Sequence, residues 1–103
     1  SIELHELADA ELRALPTDMQ ARFLRIAELL QELGPQQVGM PHIRPLEDKL
    51  WEIRMNGRDG ISRAIYAAIH GRTLLVLHVF TKRTQKTPRS AIKKAHERLK
   101  GQG

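Results

Sequence analysis

The order of apolar and polar residues predicts two helices in the first third of the chain. Residues 8–15 place apolar side chains at helical spacing until Pro16 interrupts them. From Met19 to Leu33, apolar residues recur every three or four positions, which gives a helix one face to bury. Thr17-Asp18 supplies N-cap chemistry for this second helix, and Gly34-Pro35 is a typical C-terminal stop. We therefore expect a helical hairpin with one apolar face.

After residue 49 the apolar period changes to two, which predicts strands. The three predicted strands are Leu50–Met55, Ile61–Ile69 and Thr73–Thr81. Residues 36–48 contain Gly39, Pro41 and Pro45, so we expect a loop before the first strand. Asn56–Gly60 is a predicted hairpin loop, and Gly71-Arg72 is a predicted two-residue turn of type II′. Connections this short allow no crossover, so the strands should form an antiparallel meander.

The two ends of the chain complete an α+β pattern. Ser1–Leu4 is β-permissive and predicts a further strand. Thr87-Pro88 opens a last helix, with Thr87 as its N-cap and Pro88 at its first position, and Gly101 ends it. The inner stripe of that helix is Ile92, Ala95 and Leu99. We expect one domain over residues 1–103, with a small antiparallel sheet packed against the N-terminal hairpin and the C-terminal helix.

Composition limits the function classes. The 103 residues include no Cys, which excludes disulfides, zinc knuckles and thiol chemistry. No apolar run approaches a membrane span of about 18 residues, and no signal-peptide pattern is present, so we expect a cytoplasmic protein. Residues 1–50 hold nine acids and five bases, whereas residues 51–103 hold three acids and twelve bases. This asymmetry favours a polyanion-binding surface in the second half.

The predicted turns also assign the two faces of the sheet. Pairing His70 with Thr73 places Tyr66 opposite Leu77 in the neighbouring strand. The face that the helical hairpin should cover then carries Trp51, Ile53, Met55, Ala64, Tyr66, Ala68, Leu75, Leu77 and Val79. The last helix should cover Ile65, Ala67, Leu74 and Val76 on the other face.

Beyond those four residues, the second face changes character. Six residues are expected to meet there: Glu52, Arg54, Arg63, His78, Phe80 and Lys82. The segment Thr81–Pro88 holds three cations, Lys82 among them, and leads into a helix N-terminus, a combination suited to phosphate. A solvated set of cross-strand charges is the alternative interpretation.

Three stretches resemble a known family. They are LWEIR at residues 50–54, GISRAIY at residues 60–66 and LHVFTKRTQKTP at residues 77–88. Together they resemble the phage-derived HigB-like branch of the RelE/ParE toxin superfamily. The resemblance implies a RelE-like fold and a type II toxin–antitoxin toxin that cleaves mRNA, usually in the ribosomal A site. It also implies a cognate antitoxin with a helix-turn-helix domain of the XRE-like kind.

Carried over by position, the resemblance assigns functional residues. The catalytic set is Arg54, Arg63, Lys82, Arg83 and Lys86. Independently of that carry-over, we predict that four residues bind RNA: His78, Phe80, Gln85 and Thr87. The chain departs from the family at Val79, where Gly is usual, and at Arg83, where Lys is usual. Because an arginine does not act as a base, the second departure leaves the general base open.

Such a toxin would cleave RNA by attack of a ribose 2′-OH on the adjacent phosphorus. Cations stabilise the extra phosphorane charge, and Lys82, Lys86 or His78 would transfer protons. The five His residues show no ligand spacing, so we predict no metal and no cofactor. Two other classes stay open: a ParE-like inhibitor of DNA gyrase, and a non-catalytic regulator that binds nucleic acid.

Overall fold

The computed structural model describes residues 1–39, 42–71 and 73–102, and confirms the α+β fold. The strands are β1 (Ile2–Leu4), β2 (Ile43–Pro45), β3 (Leu50–Gly57), β4 (Gly60–Ile69) and β5 (Thr73–Lys82). The helices are α1 (Glu6–Arg13), α2 (Thr17–Leu33), the single turn α3 (Pro35–Val38) and α4 (Arg89–Gln102). Helices α1 and α2 form the predicted hairpin, and β3 to β5 form the predicted meander.

The five strands make one mixed sheet in the order β1-β5-β4-β3-β2. The strand β1 runs parallel to β5, so the sheet is not wholly antiparallel as predicted. The prediction of a loop over residues 36–48 is also wrong, since α3 and the edge strand β2 lie there; Pro41 is outside the described residues. Pro45 fits the edge strand because it opposes Trp51 between two hydrogen-bonded pairs, where its missing N–H removes no ladder bond.

Several predicted element ends are shifted. Pro16 occupies the N-cap position of α2 without a side-chain bond, so Thr17 and Asp18 are inside the first turn rather than before it. Strand β4 pairs Ile69 with Thr73, which makes the following connection three residues long instead of two; Arg72 lies outside the described residues. Gly101 lies within α4 and does not end it.

A β-bulge between β4 and β5 overturns part of the predicted face assignment. Ile65 pairs with His78, but Tyr66 pairs with Val76, so Leu77 is an extra residue in β5. The alternation of β5 side chains between the two faces of the sheet therefore shifts by one residue at Leu77. Contrary to prediction, Leu74 and Val76 face the helical hairpin, whereas Leu75 and Leu77 face α4. Ala68, also predicted to be in the core, is exposed.

Each face of the sheet buries its own apolar cluster. The cluster beneath α1 and α2 is built around Phe23, Ile53, Met55, Ala64, Tyr66 and Val79. The cluster beneath α4 contains Leu50, Ile65, Ala67, Leu75, Leu77, Ala91, Ile92 and Ala95, with Leu99 packed against it. The inner stripe predicted for the last helix is thus confirmed. The α4 cluster covers only one end of its face, and polar residues occupy the other.

Candidate functional site

The polar end of the α4 face consists of two rows that cross the sheet. The first row is His42, Arg54, Arg63 and Phe80, and the second is Arg44, Glu52, Ile65 and His78. His42 continues the first row because its carbonyl oxygen accepts the N–H of Arg54 at 2.7 Å. Strand alternation turns both rows toward α4, since the intervening Ile43, Ile53, Ala64 and Val79 belong to the opposite core.

Arg54 and Glu52 are buried and hold the segment that follows β5. The Nε of Arg54 donates to Glu52 Oε1 at 2.6 Å, and its Nη2 donates to the carbonyl oxygen of Gln85. The second carboxylate oxygen of Glu52 accepts the hydroxyl of Thr87 at 2.5 Å. Both oxygens of Glu52 are thus engaged, and Thr87 bonds to the sheet instead of capping α4 as predicted.

Arg63 is fully buried, and only some of its hydrogen-bond donors have a partner. Its Nη1 donates to the carbonyl oxygen of Lys86 at 3.0 Å, while Nε and Nη2 have no partner among the described residues. Its guanidinium carbon lies 5.9 Å from the centre of the Phe80 ring. Burial lowers the pKa of Arg63, the cations Arg54 and Arg44 lower it further, and Glu52 opposes them.

The predicted cations fall into two groups. Lys82, Arg83 and Lys86 are exposed, and we call Lys82–Lys86 the basic segment. Arg54 and Arg63 lie beneath it and bond to its carbonyl oxygens, so their guanidinium groups do not face solvent as expected of phosphate-binding residues. The sheet therefore anchors the backbone of the basic segment and leaves its three side-chain charges outside.

Of the residues predicted to bind RNA, the exposed Gln85 lies within the basic segment, and the buried Thr87 directly follows it. Phe80 is half-buried, and its ring stacks on His78 with centroids 4.8 Å apart. His78 is buried, and its Nδ1 lies 2.9 Å from Glu11 Oε1. Burial lowers the pKa of His78, although its bond to Glu11 opposes the shift.

Glu11 of α1 is a functional candidate that the sequence did not reveal. Its carboxylate accepts bonds from the backbone N–H of Val79 and from both terminal nitrogens of Arg98, in addition to His78. Burial alone would raise the pKa of Glu11, but these donors outweigh it and lower the pKa to about 2. An ionised Glu11 fixes the proton of His78 on Nδ1. The sequence feature that could have indicated this role is an acidic residue between Ala8 and Leu12, on the apolar face of a helix.

One cluster of metal-ligand types lies beside α4, although the sequence spacing predicted none. Ligand atoms of Glu47, Asp48 and His96 lie within 4.8 Å of one another. Both oxygens of Glu47 already accept bonds, from Arg89 at 2.9 Å and from His96 at 3.1 Å. The cluster is accounted for as an ion-pair network between the β2–β3 connection and α4.

The fold and the site define a class: a small α+β protein whose sheet carries a pinned, cationic segment at one end of one face. A sequence model described as phage-derived protein Gp49-like (DUF891) matches residues 10–100. The chain belongs to this Gp49-like family, a family of RelE/HigB-like toxins. No curated protein matches the chain. Among the described residues, no helix is both long and apolar enough to cross a membrane.

Proposed function

We propose that this protein is the toxin of a type II toxin–antitoxin system, of the phage-derived HigB-like branch, and that it cleaves mRNA. The observation that carries the proposal is the anchored basic segment. Two buried arginines bond to its backbone, and a buried pair of polar residues, Glu52 and Thr87, anchors its end. Three exposed cations project from it: Lys82, Arg83 and Lys86. A fixed array of positive charge loses little entropy when it binds a phosphodiester, and it binds the more highly charged phosphorane more tightly.

The reaction needs no group beyond the RNA and the side chains. The ribose 2′-oxygen loses its proton and bonds to the adjacent phosphorus, and the bond from phosphorus to the 5′-oxygen breaks. The products are a 2′,3′-cyclic phosphate and a 5′-hydroxyl. Lys82, Arg83 and Lys86 neutralise the charge that develops on the phosphorane oxygens, and an exposed lysine carries protons between the two oxygens.

Arg54 and Arg63 have a supporting role in this mechanism. Each fixes a carbonyl oxygen of the basic segment, so each acts through Lys86 and its neighbours. The phenyl ring of Phe80, half-buried beside Arg63, offers a surface on which a base can stack. His78 is held between Phe80 and Glu11, which suits it to orient that ring.

The partners follow from the proposed class. The toxin acts on mRNA in the ribosomal A site in the cytoplasm, and a helix-turn-helix antitoxin of the XRE-like kind neutralises it by forming a complex. Co-expression with the cognate antitoxin should therefore give one stable species on size exclusion. Elution of the two proteins separately would contradict neutralisation by binding.

The activity is tested by brief induction of the protein in growing cells and mapping of mRNA 5′ ends. We expect new ends that carry a 5′-hydroxyl in the wild type, and few in Lys82→Ala. Lys100→Ala is the matched control, because Lys100 is exposed on α4 about 16 Å along the helix from its first residue. Intact message with double-strand DNA breaks would refute cleavage in favour of gyrase inhibition. Unimpaired growth would favour a non-catalytic regulator.

A further inference from the structure

The edge strand β2 brings a cation to the site from the acidic half of the chain. Arg44 pairs with Glu52 of β3, one strand beyond Arg54 and Arg63. Neighbouring strands lie about 4.8 Å apart, so β2 is about 10 Å from the strand that carries Arg63. The side chain of Arg44 is half-buried on the same face as both arginines. Its charge acts on Arg63 across that distance.

Arg44 has no acidic partner among the described residues, although a carboxylate faces it. Glu52 is fully buried, and its two oxygens are occupied by Arg54 and Thr87. The two rows therefore combine three arginines with a single carboxylate. Buried or half-buried charge of one sign is costly without a counter-charge, so the surface favours an anion.

We propose that Arg44 binds a phosphodiester group of single-stranded RNA. The group belongs to the part of the RNA that extends from the basic segment across the edge of the sheet. This inference rests on the proposed function, because it takes RNA as the anion. The exposed His42 lies one strand from Arg54 on the same face and leaves this edge open to solvent. Arg63, whose Nε and Nη2 are buried without a partner among the described residues, adds positive charge beneath the same face.

A chain of anions lying over this face would meet positive charge along its whole length. The exposed cations of the basic segment stand at one side, and Arg44 stands at the other, beyond Arg54 and Arg63. An isolated small anion would need only one of these groups. A polymer with a charge at each repeat makes use of all of them, which is why single-stranded RNA is the ligand that fits best.

The test is the salt dependence of binding to a fluorescently labelled single-stranded RNA oligonucleotide, measured by anisotropy between about 50 and 200 mM salt. Removal of one phosphate contact should lower the slope of log K against log salt by about 0.7. We expect Arg44→Ala to lower the slope by this amount and to weaken binding several-fold at the lowest salt. Arg44→Lys should restore the slope, because a lysine also contacts phosphate as a point charge.

Arg25→Ala is the control. Arg25 is an exposed arginine of α2, on the opposite side of the sheet, and it makes no ion pair among the described residues. The Arg25→Ala substitution removes one positive charge, as Arg44→Ala does, and should leave the salt slope and the affinity for RNA unchanged. Thermal unfolding of each variant checks that the fold persists.

Three outcomes overturn the proposal. Wild-type binding with an unchanged slope in Arg44→Ala refutes the Arg44 site alone and leaves the proposed function standing. Equal changes in Arg44→Ala and Arg25→Ala assign the effect to net charge and refute a local contact. A wild type that binds no RNA at low salt refutes the Arg44 site, and the mapping of mRNA ends then decides the proposed function separately.

Discussion

Replacement of Glu11 by Gln should destabilise the protein in a pH-dependent manner. The donors around the carboxylate lower its pKa from 4.5 to about 2, so its ionised form stabilises the folded state. A difference of this size corresponds to about 3 kcal/mol at neutral pH, as an upper limit because a quarter of the side chain is exposed. Glu11→Gln keeps the shape of the side chain and removes the charge opposite Arg98, whose side chain is only 11% exposed.

The sign of the pH effect follows from the lowered pKa. The unfolded chain takes up a proton as the pH falls below 4.5, whereas the folded protein resists until about pH 2. The stabilisation is therefore complete above pH 4.5 and declines through that window. In urea unfolding, the gap between the wild type and Glu11→Gln should shrink by about 2 kcal/mol between pH 6 and pH 3.

The control for this experiment is Glu6→Gln. Glu6 is exposed in the first turn of the same helix and makes no ion pair among the described residues. Its replacement should change stability by less than about 1 kcal/mol, with no gap that closes toward pH 3. A Glu11→Gln variant whose deficit stays constant from pH 6 to pH 3 would refute the reasoning, because the deficit would then come from packing and not from charge.

Two further pairs of variants test the support of the basic segment. Gly60→Ala should cost about 2 kcal/mol or more in thermal unfolding, because Gly60 has a φ of +132° and an added Cβ would lie 2.8 Å from the carbonyl oxygen of Lys82. Gly101→Ala, inside α4 with open space around the new methyl, should stabilise by up to about 1 kcal/mol; equal effects at the two glycines would contradict the argument. Thr87→Val should cost about 1–3 kcal/mol in urea unfolding, since it leaves a buried oxygen of Glu52 without its donor. Thr87→Ser should recover most of that loss, and a failure of Ser to do so would assign the loss to the methyl group.

The sequence was informative wherever a regular period continued without interruption. The period of α2 and the meander of β3 to β5 were both predictable, as was the meeting of Arg54, Arg63 and Phe80 on one face of the sheet. Prediction failed for Leu74 to Leu77, because the extra residue at Leu77 exchanges the faces of the side chains between it and the turn that precedes β5. When both faces of a sheet are covered, alternating apolar residues fit either assignment of side chains to the two faces. The sequence alone therefore did not indicate that the faces exchange at the bulge.

The missed residues share a different cause. Arg44 lies in a three-residue strand between a glycine and proline-rich stretch and a turn, and so short a strand has almost no period to detect. Glu11 was hidden because its partners come from β5 and α4, 67 or more positions away in the sequence. Long-range pairing of this kind depends on the tertiary arrangement, which a single sequence pattern does not encode.

The contrast between an acidic first half and a basic second half now has a physical interpretation. Acids of the first half neutralise bases of α4, since Glu11 pairs with Arg98 and Glu47 with Arg89. Glu52 is committed in the same way to Arg54. These pairs neutralise two arginines of α4 and one of the sheet, whereas the basic segment and Arg44 make no ion pair with an acid among the described residues. One end of one sheet face therefore keeps a positive charge that no ion pair among the described residues neutralises, in addition to the exposed lysines of α4.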